Sequence, residues 1–204
     1  MKNNRFQWTA ITEFLKEIQS YNQIAGIAEI ARRYFAMNAF DGVLTTIGVL
    51  VGNYLAGVRD LSIPIRIGIA TSIAMGISGL WGAYLTETAE RQRELADLQK
   101  ISLIDQSKTS IGRASRFAVI VVSIVDGLAP ALAAMIVMIP LFLGPLIQNP
   151  VLSYGFAAGL ALLSLFALGM FLGKVSEASL IGYGFKTLLA GLAAIAINFL
   201  LGAD

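Results

Sequence analysis

Cysteine and histidine are both absent from the 204-residue chain. Their absence excludes disulfides, thiolate or imidazole metal sites, haem ligation and Cys- or His-based nucleophilic chemistry. Charge is scarce as well: 14% of residues are Asp, Glu, Lys or Arg, and the formal net charge is only +2. No basic patch with interleaved aromatics occurs, so a nucleic-acid partner is not expected. The first 30 residues carry charges throughout and lack a short apolar core with a small-residue cleavage site, so no signal peptide is expected there. No set of side chains reads as a nucleophile with its base, so an enzyme is not expected either.

What the chain has is apolar sequence. Hydrophobic residues make up 56% of it and the mean hydropathy is +0.73, a composition that leaves too little polar surface for a soluble domain. The expected class is an all-α integral membrane protein. A crossing needs about 20 mostly apolar residues, and five segments qualify: Tyr34–Val58, Ile63–Leu85, Phe117–Ile147, Val151–Gly173 and Lys186–Leu201. The third carries Pro130, Pro140 and Pro145, so a kink or a break into two pieces is expected there. The apolar LIGYGF before the fifth leaves room for an earlier start.

Basic residues set the orientation. With the N-terminus in the cytoplasm, all of the 15 Lys and Arg except Arg59 and Arg66 fall on the inner side. The expectation is N-terminus in, C-terminus out. Residues 1–32 place Ile11, Phe14, Leu15, Ile18, Tyr21 and Ile24 on one helical face and Glu13, Lys16 and Glu17 on the other, the pattern of an amphipathic helix lying at the membrane interface. Residues 33–204 form the membrane domain. Within it, residues 86–116 are the only sizeable hydrophilic stretch, expected to continue the second span into the cytoplasm as a helical extension of roughly 20 Å or more.

Two carboxylates interrupt the spans. Asp41 lies in FDGVLTT and Asp126 in VDGLAPA, each with a glycine following and each about eight residues in from the cytoplasmic end of its helix. An ionisable residue in a span costs several kcal/mol unless it faces a polar cavity or a partner. Asn38, Asp41 and Thr45 share one face of the first helix. Thr71, Met75 and Ser78 share a face of the second, and Ser123 and Asp126 a face of the third. Such oxygen-bearing walls suit an ion pathway, with Asp41 and Asp126 as metal ligands; the competing reading is that each Asp cross-links helices through hydrogen bonds. Just outside the second span Glu87, Glu90, Glu94 and Asp97 form one acidic stripe. A cation could offset their repulsion, but Arg91, Arg93 and Lys100 are nearby, and a solvated charged face is the commoner outcome of such a stripe. The pairs Gly48/Gly52, Gly155/Gly159 and Gly169/Gly173, with Gly76, Gly79 and Gly82, allow close helix approach and include a candidate homodimer seam.

These segments resemble a known family. FDGVLTTIGVLVG resembles the first helix of the vacuolar iron transporters. GISGLWGAYLTETAERQRE is similar to the second helix and its acidic extension, and LSLFALGMFLGKVSEASLIGYGFKTLLAGLAAIAINFLLG to the last two helices. The resemblance runs from about Arg33 to Gly202. It implies five spans, a homodimer, and a proton-coupled secondary transporter that exports Fe2+ or Mn2+ from the cytoplasm across the cell membrane, the metal being substrate and no cofactor tightly bound. Asp41 falls on the family's pore aspartate, and Glu87, Glu90 and Glu94 fall in its metal-collecting region. The chain departs from the family at Tyr34 and Thr71, where acidic residues are expected, at Gly79, where a methionine is, and in a much shorter cytoplasmic region. A non-transporting membrane scaffold on the same fold, or a transporter of another solute, fits those departures.

Overall fold

The computed structural model describes residues 16–202. Most of the amphipathic N-terminal segment, including Ile11, Glu13, Phe14 and Leu15, lies outside the described residues. Helix α1 is described over residues 16–25. It is followed by α2 (Ile27–Leu55), α3 (Ser62–Ser102), a 3-10 turn (Gln106–Lys108), α4 (Ser110–Phe142), α5 (Gly144–Ile147), α6 (Pro150–Val175) and α7 (Leu180–Leu201). No strand occurs among the described residues. Five helices are long and apolar enough to cross a membrane: α2, α3, α4 together with α5, α6 and α7. An all-helical chain suits that role because every backbone N–H and C=O is satisfied within its own segment.

Boundaries differ from the sequence expectation in informative places. The fifth span begins at Leu180, where Ser179 caps α7 by accepting from the Gly182 amide. Asn149 caps α6 in the same manner with Pro150 at its first position, the residue pair best suited to starting a helix. The third span stays helical through Pro130 and Pro140 and is interrupted only after Phe142, just before Pro145. Helix α3 runs for 41 residues, about 60 Å at the usual rise and twice the hydrocarbon thickness of a bilayer.

The chain divides into two compact units, Met1–Tyr34 with Leu80–Val125 and Phe35–Gly79 with Asp126–Asp204. In the second unit Val43, Ile47 and Leu50 of α2, Val137, Met138 and Leu141 of α4, and Ala157, Ala161 and Leu165 of α6 form the buried core. Helices α2 and α4 run parallel and in register: Asn38 meets Asp126 and Gly42 meets Pro130, 88 positions apart in both cases. Helix α3 is antiparallel to α4, with Gly79 against Asp126, Gly76 against Gly127 and Gly68 against Met138. Helices α6 and α7 pack antiparallel through Gly169 and Gly173 against Gly184 and Leu180, and Thr187 Oγ1 donates across to the Leu165 carbonyl at 2.7 Å.

In the first unit Ala25 and Ile27 pack on Ala114 and Ala118 of α4, and the rings of Tyr21 and Phe117 lie 5.6 Å apart. The apolar face of α1 therefore meets protein at its C-terminal end.

The glycine stripes sort into two kinds. Gly42, Gly76, Gly79, Gly169 and Gly173 hold helix backbones close together, whereas Gly48, Gly52, Gly155 and Gly159 have nothing within 4 Å of where a Cβ would stand. A Cβ on Gly42 would sit 2.7 Å from Pro130 Cα, an obstacle of main chain that no rotamer change relieves. Gly42→Ala is expected to destabilise the protein by about 1–3 kcal/mol, read as a lowered Tm in detergent. Gly159→Ala, on α6 and with nothing within 4 Å of its Cβ position, should leave Tm unchanged or raise it slightly, because alanine is the better helix former.

Candidate functional site

The side chains singled out in the spans fall into three groups. Asp126 is buried, with 6% of its surface exposed, and its Oδ1 accepts from the Asn38 Nδ2 of α2. Pro130 stands four residues further along α4 and has no N–H, so the Asp126 carbonyl lacks its helical donor. Helix α3 approaches that carbonyl through Gly79, where a Cβ would stand 2.8 Å from the carbonyl oxygen and 3.3 Å from Oδ2. A methionine at this position, as in the resembling family, has no room. Asn38, Asp126, Gly79 and Pro130 thus form one polar node at which three helices meet.

The hydroxyls behave differently. Ser123 donates to the Val119 carbonyl at 2.6 Å, and Thr71 to the carbonyls of Ile67 and Gly68, each at 3.0 Å. Two buried hydroxyls that the sequence reading passed over, Thr46 and Ser72, do the same toward Gly42 and Gly68. All four bond within their own helix, the usual way for a hydroxyl to lie in an apolar medium. An i−4 carbonyl lies one turn before every Ser and Thr in a helix, so this outcome has no signature in sequence.

Asp41 belongs to the third group. Core-facing Val43, Ile47 and Leu50 occupy one side of α2, and Asp41 and Thr45, exposed, stand on the other. Half-buried Asn38 and Gly48 and exposed Gly52 continue that line at the spacing of a single helical face. On α3, Ser78 is exposed and Met75 half-buried. Asn38 and Asp126 are brought together within the protomer; Asp41 stays on the open face of α2. Among the described residues no group of three or more Asp or Glu side chains is arranged to hold a metal ion.

The acidic stripe is organised by an arginine. Glu87 is buried; its carboxylate lies 3.7 Å from Arg91 Nε, and Glu94 lies 3.2 Å from Arg91 Nη1. The Nη2 of the same guanidinium donates to the Ala25 carbonyl at 3.0 Å. That carbonyl ends α1, one residue before Gly26, which turns the chain at φ +61°, the left-handed stop that favours glycine. Arg91 thus offsets two carboxylates of the stripe and caps a neighbouring helix. Glu90 and Asp97 are exposed. Asp97 pairs with Lys100 at 2.9 Å, and the hydrogen bond and positive charge of Lys100 hold its carboxyl below the usual carboxylate range.

No family model matches the chain, and no solved structure matches it. A protein of Methanocaldococcus jannaschii described as "Uncharacterized protein MJ0645" is 30% identical over 119 residues, 56% of this chain and 61% of the relative. The chain therefore spans about three fifths of the length of that relative.

Replacing Arg91 by Gln leaves the buried Glu87 without its cation and α1 without its cap. The expected cost is about 1–3 kcal/mol, the range for stranding a buried hydrogen-bonding group. Amide exchange should quicken over residues 16–25 while the amides of α6 and α7 keep wild-type protection.

Proposed function

We propose that this chain is a homodimeric secondary transporter that exports a divalent cation, Fe2+ or Mn2+, from the cytoplasm in exchange for protons. One observation carries the reading: Asp41 and Thr45 are exposed on a face of α2 that lies within a membrane-crossing helix. A carboxylate facing hydrocarbon costs several kcal/mol, so this face calls for a cover. The same face continues through Gly48 and Gly52, which meet nothing within the protomer, and small residues are what close approach of a second membrane helix uses. A second copy seated there would turn the stripe into the wall of an enclosed polar path.

Hard oxygen ligands without Cys or His suit Fe2+, Mn2+ or a harder ion better than copper or zinc. Asp41, duplicated by the dimer, would be the ligand, with Asn38 and Thr45 beside it. Paired carboxylates at close range repel and take up a proton when the metal leaves, which couples the two fluxes. Asp126 would support the path from behind through Asn38. Glu90 and the outer Glu94 would gather cations at the cytoplasmic mouth, on the part of α3 that outruns the bilayer. The N-terminus and the α3–α4 connection would lie in the cytoplasm, the C-terminus outside, and the N-terminal helix along the inner surface of the cell membrane.

A scaffold without transport is the second reading. It is favoured by Arg91, which takes up two of the stripe's carboxylates, and by Asp126, which is engaged between helices.

Proteoliposomes separate the two. Wild type should carry Fe2+ or Mn2+ when a pH gradient is imposed. Asp41→Asn should reduce the rate at least about tenfold, the loss expected of a charged ligand, with the dimer intact by size exclusion. Asp126→Asn should impair transport less. No metal flux from wild-type vesicles under any gradient, with the dimer formed, would establish the scaffold.

Orientation has its own test. Single cysteines at Ser107 and Arg59, in a chain with no native thiol, should label from opposite faces of sealed vesicles, Ser107 from the cytoplasmic one. Labelling from one shared face would reject the topology.

A further inference from the structure

A cleft of about 320 Å³ in the first unit lies between the distal half of α3 and the start of α4, apart from every role assigned above. Thr88 and Gln92 of α3 and Ser115 and Arg116 of α4 line one part of it, and Tyr84 and Ile120 the other.

Three features of the cleft point to an occupant. Ser115 is only 6% exposed, yet its hydroxyl makes no hydrogen bond among the described residues, and neither do the side chains of Thr88 and Gln92. The buried hydroxyls of Thr46, Ser72 and Ser123 all bond their own helices. No fully buried side-chain N or O among the described residues lacks a partner, so the unbonded Ser115 hydroxyl is the part of that residue that opens onto the cleft.

Charge is the second feature. Arg116 donates to the Ser107 carbonyl at 3.1 Å and has no carboxylate within ion-pair distance among the described residues. Arg91 also lines the wall, but its charge is balanced by Glu87 and Glu94. No acidic residue lines the cleft. What remains is one unbalanced guanidinium with neutral donors around it, a match for a singly charged phosphodiester.

The third feature is a polarity gradient along the cleft. Tyr84, Val119 and Ile120 lie toward the apolar runs of α3 and α4, while Gln92 and Arg116 lie toward their polar connection. Beyond the apolar end Trp81 is 61% and Ile124 45% exposed, and the rings of Trp81 and Tyr84 stand 6.0 Å apart, as aromatics do at a membrane–water boundary. A basic, donor-lined head above an apolar groove has the shape of a phospholipid.

We infer that this cleft binds an anionic phospholipid, its phosphate held by Arg116, Thr88, Gln92 and Ser115 and an acyl chain lying along Ile120 and Ile124. Basic pockets between membrane helices recognise lipid head groups in this way.

Native mass spectrometry of the whole protein in mild detergent tests the site, using phosphatidylglycerol and phosphatidylcholine with identical acyl chains. Wild type should retain phosphatidylglycerol about tenfold better, as one charge-assisted contact provides. Arg116→Gln should bring its retention down to that of phosphatidylcholine. Arg113→Gln, which changes an exposed arginine that does not line the cleft, should keep the full preference. Millimolar inorganic phosphate should leave the retained lipid in place. Equal retention of the two lipids by wild type overturns the inference without need of any variant. So does an Arg113→Gln loss as large as that of Arg116→Gln, which would mark diffuse surface charge, and so does displacement by phosphate, which would mark a site for the free ion.

Discussion

Polar groups inside an apolar medium must find partners, and the hydrogen bond from Asn38 to Asp126 is where that constraint shapes this protein most. Hydrocarbon is as apolar as a leucine side chain, so burying Val43, Ile47 or Leu165 gives little preference for one helix register over another. A buried carboxylate with one amide donor in reach does give a preference, because every slipped register strands it. Once Asn38 faces Asp126, Gly42 falls opposite Pro130 four residues on, and the two backbones close to contact. Gly79 of α3 then fits over the same carboxylate from the other side. The small residues of these three helices act as consequences of one polar pairing, and each would be a cavity or a clash in any other register.

Asp41 obeys the same constraint with the opposite result. Its helix has a packed side and an open side, and the carboxylate stands on the open one with Thr45. The hydroxyls of Thr46, Thr71, Ser72 and Ser123 need nothing beyond their own helix, and Asp126 needs only Asn38 and Gly79. Asp41 thus stands exposed on the open face of α2, while Asp126 is buried and bonded. That contrast, more than the presence of two Asp-Gly pairs, separates the two carboxylates.

Where the chain leaves the apolar zone, charge takes over the organising role. Arg91 sits among Glu87, Glu94 and the last carbonyl of α1, so the first unit is tied together by one guanidinium whose planar fork addresses three acceptors at once. Repulsion along the stripe is relieved from inside the chain. Glu90, Asp97 and the exposed half of Glu94 remain turned to solvent, Asp97 beside Lys100.

Five helices long and apolar enough to cross a membrane were determined by the sequence alone, because apolar run length is read directly from it, whatever the packing. Asn149–Pro150 at the start of α6 and the Asp-Gly placements were equally readable, being local. So was the parallel sense of α2 and α4, which follows from counting spans. Tertiary structure decided everything that depends on which helix face meets which neighbour. Asp41 and Asp126 carry the same local motif but not the same depth, since Asn38 is what meets Asp126 and Asp41 lies one turn further along; packing makes one exposed and the other buried. Gly42 lets the backbones of α2 and α4 close on each other at Pro130, a pairing of residues 88 positions apart. The acidic stripe reads as four repelling carboxylates until the fold shows Arg91 reaching two of them and a carbonyl 66 positions earlier. Periodicity reports a face; the partner of that face is a long-range property, set by contacts that no window of sequence contains.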